Sequence, residues 1–190
     1  MEQIRSFIAI ELPGEVKEKL TQLQRQLKRN QSWIKWVGPA GIHLTLKFLG
    51  NIDAGKVEEV LLAMEEAAQD IPAFRLEVKD TGVFPNLNRV QVVWVGLSGE
   101  LDKLSRLQQQ LEANLAQLGF AVEERSFTPH LTIARLRNDA SPAERQALGR
   151  VVTGTKFEGG IINVVALSLM RSQLTREGAI YTRVGEVRLK

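Results

Sequence analysis

The segment GIHLTLKFLG, residues 41–50, sets a polar His43-Leu44-Thr45 step inside a run otherwise suited to a buried strand, and FTPHLTIARL, residues 127–136, repeats it as His130-Leu131-Thr132. The chain has only two histidines, and both stand in this setting. With nine threonines in 190 residues, a Thr two places on is roughly a 5% event, so both matches by chance come to about 1 in 400. Residues two apart on a strand share a face. Alternation therefore predicts Ile42, Leu44, Leu46 and Phe48 directed into the core, with His43, Thr45 and Lys47 outward. In the second segment it predicts Leu131 and Ile133 inward, His130 and Thr132 outward. Each polar pair is then presented by a rigid strand, the support a precise site needs.

Similar elements surround both segments. RSFIAIEL (5–12), rich in apolar and β-branched residues and closed by Pro13-Gly14, reads as a strand. Val16, Leu20, Leu23 and Leu27 recur at helical spacing from Glu15 to about Arg29, and SWIKWVGPAG follows as a short extended piece and a turn. After the first His-x-Thr strand come a helix near 54–69 and two strands, about 73–84 and 89–97, joined as a hairpin across Pro85–Asn88. A leucine-striped helix spans about 100–118 and stops at Gly119. The second His-x-Thr strand, at 130–135, is followed by a helix opened by Ser141-Pro142. IINVVALSLMRS and AIYTRVGEV then read as one strand each. The element order partly repeats, which predicts an α+β fold with two similar lobes, 1–190 as a single bilobal domain with an internal pseudo-twofold. Sheets facing across a groove would give each lobe one histidine.

Length and a 44% hydrophobic composition allow a proper core without a staple. The absence of cysteine excludes disulfides, thiolate metal sites and cysteine nucleophiles. No apolar run approaches the roughly 20 residues of a membrane span, and the first residues carry acids and no cleavage-like site, so a cytoplasmic protein is expected. A net charge of +3 and a pI near 9.3 allow a polyanionic partner through local contacts only.

Two histidines and two hydroxyls suit displacement at phosphorus. One imidazole can hold a proton while the other lacks it, giving a general base and a general acid in one groove, with Thr hydroxyls and a nearby cation on the non-bridging oxygens. A 2′,3′-cyclic phosphate, with its alkoxide leaving group, is a natural substrate for such a pair. Zinc would call for third and fourth ligands at recognisable spacing, and neither motif has an acid, a cysteine or another histidine beside it. No G-x-S-x-G elbow is present. Spacing alone leaves open which histidine gives the proton and which takes it.

SFIAIELP at the start, HLTLKFLG, GVFPNLNRVQVVWVGL, FTPHLTIARL and LMRSQLTREGAIYTRV together resemble, from end to end, the two-histidine phosphoesterases, in particular the RNA 2′,3′-cyclic phosphodiesterases once named 2′-5′ RNA ligases. The resemblance implies a bilobal fold with one H-x-T-x tetrad per lobe. It also implies metal-independent, cofactor-free hydrolysis of RNA 2′,3′-cyclic phosphate ends, tRNA fragments among them, to 2′-phosphates by a monomer. His43 would be the proton donor, His130 the proton acceptor, and Thr45, Thr132 and Arg135 the phosphate-binding residues, with 2′-5′ ligation as a side activity. Strict alternation puts Arg135 opposite His130, so a bulge or the strand's end has to turn it back; a surface arginine is the competing reading.

Because RNA bases stack on aromatic rings and cations hold the backbone, Lys47, Phe48, Trp33, Trp36, Phe84 and Phe127 are candidate RNA contacts, against core or solvated positions for each. Lys28, Arg29 and Lys35 are interleaved with Trp33 and Trp36. Pro129 restricts Thr128 to extended geometry and fixes how the chain enters the second motif. The alternatives are a related enzyme acting on small cyclic nucleotides or 2′-5′ oligonucleotides, and an RNA-binding module without turnover.

Overall fold

The computed structural model describes residues 1–28 and 31–190; Arg29 lies outside the described residues. The chain runs β1 (Gln3–Ile10), α1 (Gly14–Leu27), β2 (Ile34–Trp36), a 3-10 turn at Pro39–Gly41, β3 (Leu44–Asp53), a second 3-10 turn at Ala54–Lys56 leading into α2 (Val57–Ala68), β4 (Phe74–Phe84), β5 (Val92–Gly99), α3 (Leu101–Gln117), β6 (His130–Leu136), α4 (Pro142–Thr153), β7 (Glu158–Val164), β8 (Ala166–Thr175) and β9 (Gly178–Arg188). None of these helices is long and apolar enough to cross a membrane.

Local signals account for most boundaries. Val16, Leu20, Leu23 and Leu27 form the buried stripe of α1. Ser141 caps α4 in a capping box with Glu144, and Pro142 sits in its first turn. The β4–β5 connection is closed by the Asn86 side chain, whose Oδ1 accepts from the backbone N–H of Asn88 and Arg89, the Asx chemistry expected of that turn.

The strands form two antiparallel sheets, β3-β1-β8-β9 and β2-β6-β5-β4-β7, in a two-lobed α+β arrangement. Each sheet draws strands from both halves of the sequence. The hairpin that follows the first motif pairs with the second motif's strand, β6, while β8 and β9 complete the sheet of β3. The run IINVVALSLMRS is not one strand, as its hydrophobicity suggested. It breaks at Val165, with β7 at the edge of one sheet and β8 inside the other. Ile162 and Val164 are buried before the break, Leu167 and Leu169 after it; that change of parity marks the crossing.

One continuous apolar core underlies both sheets, from Ile8, Ile10 and Leu44 in the first to Val93, Val95 and Leu131 in the second. The two motif strands meet at the seam, β3 and β6 approaching with Cα atoms within 8 Å. Buried Gln24 of α1 ties the seam: its Nε2 donates to the carbonyls of Val37 (2.7 Å) and Ile133 (3.0 Å), and the Ile133 carbonyl also accepts from the N–H of Val37 (3.0 Å). Gln24→Leu keeps the volume but deprives two buried carbonyls of a donor. It is expected to lower stability by about 1–3 kcal/mol, read as a fall in the denaturant midpoint at unchanged slope.

Candidate active site

Each motif strand contains an extra residue just past its Thr, and β3 has a second one further on, at Leu49. Opposite β1, Thr45 faces Ala9 and Lys47 faces Ile8, so Leu46 is passed over. Opposite β5, Thr132 faces Trp94 and Ala134 faces Val93, so Ile133 is passed over. A bulge of this kind places two neighbouring residues on the same side and reverses the alternation beyond it. Leu46 and Lys47 are both buried, as are Ile133 and Ala134. The next residue, Phe48 in one strand and Arg135 in the other, emerges on the histidine face. The two sites therefore match position by position: His43 with His130, Thr45 with Thr132, Phe48 with Arg135.

This corrects two readings made from alternation. Phe48 is 72% exposed rather than in the core. Lys47 does not reach the histidine face; at 8% exposure its Nζ pairs with Glu112 of α3 at 2.8 Å and donates to the Ala121 carbonyl at 2.6 Å. Glu112 also accepts from Gln108 and from the N–H of Glu123. Lys47 thus anchors α3, and the segment leading towards His130, to the back of the first motif. The turn that Arg135 needs is supplied by the bulge at Ile133.

Both imidazoles are held alike. Nδ1 of His43 lies 3.2 Å from the Gly41 carbonyl and Nδ1 of His130 lies 2.7 Å from the Thr128 carbonyl, each acceptor two residues upstream. A carbonyl only accepts, so Nδ1 carries a proton in each ring and Nε2 is left for chemistry. Aromatic edges fix the ring planes. Phe7 and Tyr181 stand 5.6 and 5.2 Å from His43, and Phe84 stands 5.0 Å from His130, nearly perpendicular to it. Phe84 in turn packs on Trp94 at 5.3 Å, which lies flat over Gly82, where a Cβ would collide with the indole. Of the other aromatic candidates, Trp36 faces Ala134 on the core side of its sheet, and Trp33 and Phe127 are half-buried against the core.

The surroundings of the two histidines differ. Burial lowers the pKa of His43, and the positive charge of Lys17 adds to this, while the Gly41 carbonyl and Glu11 pull the other way. Glu11 is itself lowered: burial raises it, but hydrogen bonds from Ser168 (2.6 Å) and Arg183 (2.8 Å) and the charge of Arg183 outweigh that. Phe7, Tyr181, Glu11, Arg183 and Trp94 were not singled out from sequence. Tyr181 is the chain's only tyrosine, and its place beside His43 depends on a strand at the far end of the chain. No group of three or more His, Cys, Asp or Glu among the described residues is placed to hold a metal ion.

Two stability effects follow. Lys47→Ala strands the Glu112 carboxylate in a nearly closed pocket and is expected to cost about 3 kcal/mol, with Lys47→Met/Glu112→Leu recovering most of it; chemical denaturation measures both. His43, depressed in the folded state, binds fewer protons than in the unfolded chain over the interval below its ordinary value. Stability is therefore lost as pH falls through that interval. Between pH 7.5 and pH 5, the melting temperature should fall by less in His43→Asn than in the wild type.

The family model described as LigT like Phosphoesterase matches the chain over residues 10–94 and again over 95–181. A protein from Methanothermobacter thermautotrophicus named RNA 2′,3′-cyclic phosphodiesterase is 31% identical over 98% of this chain and 100% of its own. One of the same name from Aquifex aeolicus is 30% identical over 98% and 97%. The crystal structure of E. coli LigT complexed with 3′-AMP superposes with a TM-score of 0.81 at 27% identity, covering 100% of this chain and 99% of that one. A crystal structure of a Thermus thermophilus protein gives 0.80 at 29%, covering 97% of each. With two matched halves, two bulged His-x-Thr strands and full-length relatives, the chain belongs to the LigT-like phosphoesterase family.

Proposed function

We propose that the protein hydrolyses the 2′,3′-cyclic phosphate at RNA ends to a 2′-phosphate, using His43 and His130 as an acid-base pair without a metal ion. The observation that carries this reading is the identical anchoring of the two rings, each with Nδ1 on a backbone carbonyl and Nε2 available, on strands that meet at one seam. The names of the relatives from Methanothermobacter thermautotrophicus and Aquifex aeolicus support the substrate.

A water oxygen attacks phosphorus, His130 Nε2 takes the water proton, the bond from phosphorus to O3′ breaks, and His43 Nε2 delivers a proton to O3′. The products are a 2′-phosphate and a free 3′-hydroxyl. Thr45 and Thr132 donate to the non-bridging oxygens, where charge builds, and Arg135 offsets that charge. Phe48 offers a face for the terminal base and Phe84 orients His130. Burial disfavours imidazolium at His43 in the free protein, so its proton arrives together with the anionic substrate, whose charge favours the protonated ring. Attack by an RNA hydroxyl in place of water gives the 2′-5′ joining side reaction. We place the activity in the cytoplasm, in a monomer acting on broken RNA ends such as tRNA fragments.

His43→Ala and His130→Ala should each lower kcat by about 10²- to 10⁴-fold on an RNA ending in cyclic phosphate, with EDTA without effect on the wild type. Thr45→Ala and Thr132→Ala should each lower kcat/KM by roughly 10- to 100-fold. The assignment of roles is tested with a 4-nitrophenyl phosphodiester, whose leaving group needs no acid: His43→Ala should recover on it and His130→Ala should not. The opposite pattern exchanges the roles, and full activity of either variant on RNA removes the mechanism.

A further inference from the structure

Lys35 and Arg135 are directly opposed across β2 and β6, and both are exposed. Like charges facing each other in an antiparallel pair repel, and neither has a carboxylate within ion-pair distance among the described residues. Arg183, on the sheet of His43, is by contrast neutralised by Glu11 and Glu186. Beyond Lys35 the same arrangement continues. Lys28, Lys35 and Arg137 line one open cleft at the outer edge of the sheet, where β2 is the last strand, and Lys28 and Arg137 are likewise unpaired among the described residues.

We propose that Arg135, Lys35, Arg137 and Lys28 form a phosphate track that leads the RNA backbone away from the reacting end along the edge of β2, so that the protein favours oligonucleotides over nucleoside cyclic phosphates. Arg135 stands three residues after Thr132 with one absorbed by the bulge, about 7 Å along the strand. The track therefore begins beside the reacting phosphate and runs outward, and a mononucleotide reaches only its first member. Successive phosphates relieve the repulsion of the opposed cations. The paired bulges give the site its direction: Phe48 at the aromatic end receives the terminal base, and its counterpart Arg135 opens the cationic end.

This inference rests on the RNA reading above, and one experiment separates the two. Wild type and Lys35→Ala/Arg137→Ala are compared on a nucleoside 2′,3′-cyclic phosphate and on a short single-stranded RNA ending in cyclic phosphate, over a range of salt. The ratio of kcat/KM for RNA to that for the mononucleotide should fall about tenfold in the variant, through KM. The slope of log kcat/KM against log salt on RNA should shrink by about 1.4, twice the roughly 0.7 released per phosphate on a single strand. Lys35→Arg/Arg137→Lys should restore both. An unchanged ratio and slope, with RNA still turned over, overturns the track alone. A wild type that opens the mononucleotide and ignores the RNA overturns the RNA reading and the track together.

Discussion

The site depends on one extra residue just past the Thr of each motif strand. Without the bulges at Leu46 and Ile133, strict alternation would bury Phe48 and Arg135 behind their sheets and turn Lys47 outward. A bulge disrupts its ladder locally, and its backbone groups need other partners. At Ile133 the carbonyl is met by the N–H of Val37 and the amide of Gln24, so α1 and the segment leading into the first motif both hold the second motif strand in shape. Behind the first bulge, Lys47 and Glu112 bind the strand to α3. Polar groups behind the histidine face thus fix the geometry of that face.

The near symmetry of the motifs makes their differences chemical rather than geometric. His43 is enclosed by Phe7 and Tyr181 and lies within the field of Lys17 and Glu11; His130 has the edge of Phe84 and a strand that ends in cations. Two rings held by the same backbone bond thus sit in unlike surroundings, and burial with the charge of Lys17 lowers the proton affinity of His43.

The amino-acid sequence pointed to the centre of the candidate site and missed its edges. His43, Thr45, His130 and Thr132 were legible because parity on a strand is a local property and the repetition of His-Leu-Thr was improbable. Lys47 and Phe48 were misplaced because a bulge leaves no mark in an apolar run. The mismatch at Arg135 required a bulge, and laying the two motifs side by side carries the same reversal to Phe48. The fold class, the helices and the hairpin followed from periodicity, caps and turn residues. The division of IINVVALSLMRS was hidden because both strands are buried and only a one-residue change of parity separates them. Phe7, Glu11, Tyr181 and Arg183 come from strands at opposite ends of the chain, and no local pattern places them beside His43.

The exchange of strands between the sheets has a consequence for how such a chain can be divided. It passes from one sheet to the other after β1, after β2, after β3 and after β7. The two family matches meet at residues 94 and 95, inside β5, so the unit visible as a repeat is not the unit that packs as a lobe. A break anywhere from residue 11 to 165 leaves at least one sheet without all its strands. No contiguous stretch of the chain carries one histidine with every strand of its sheet and leaves the other histidine out.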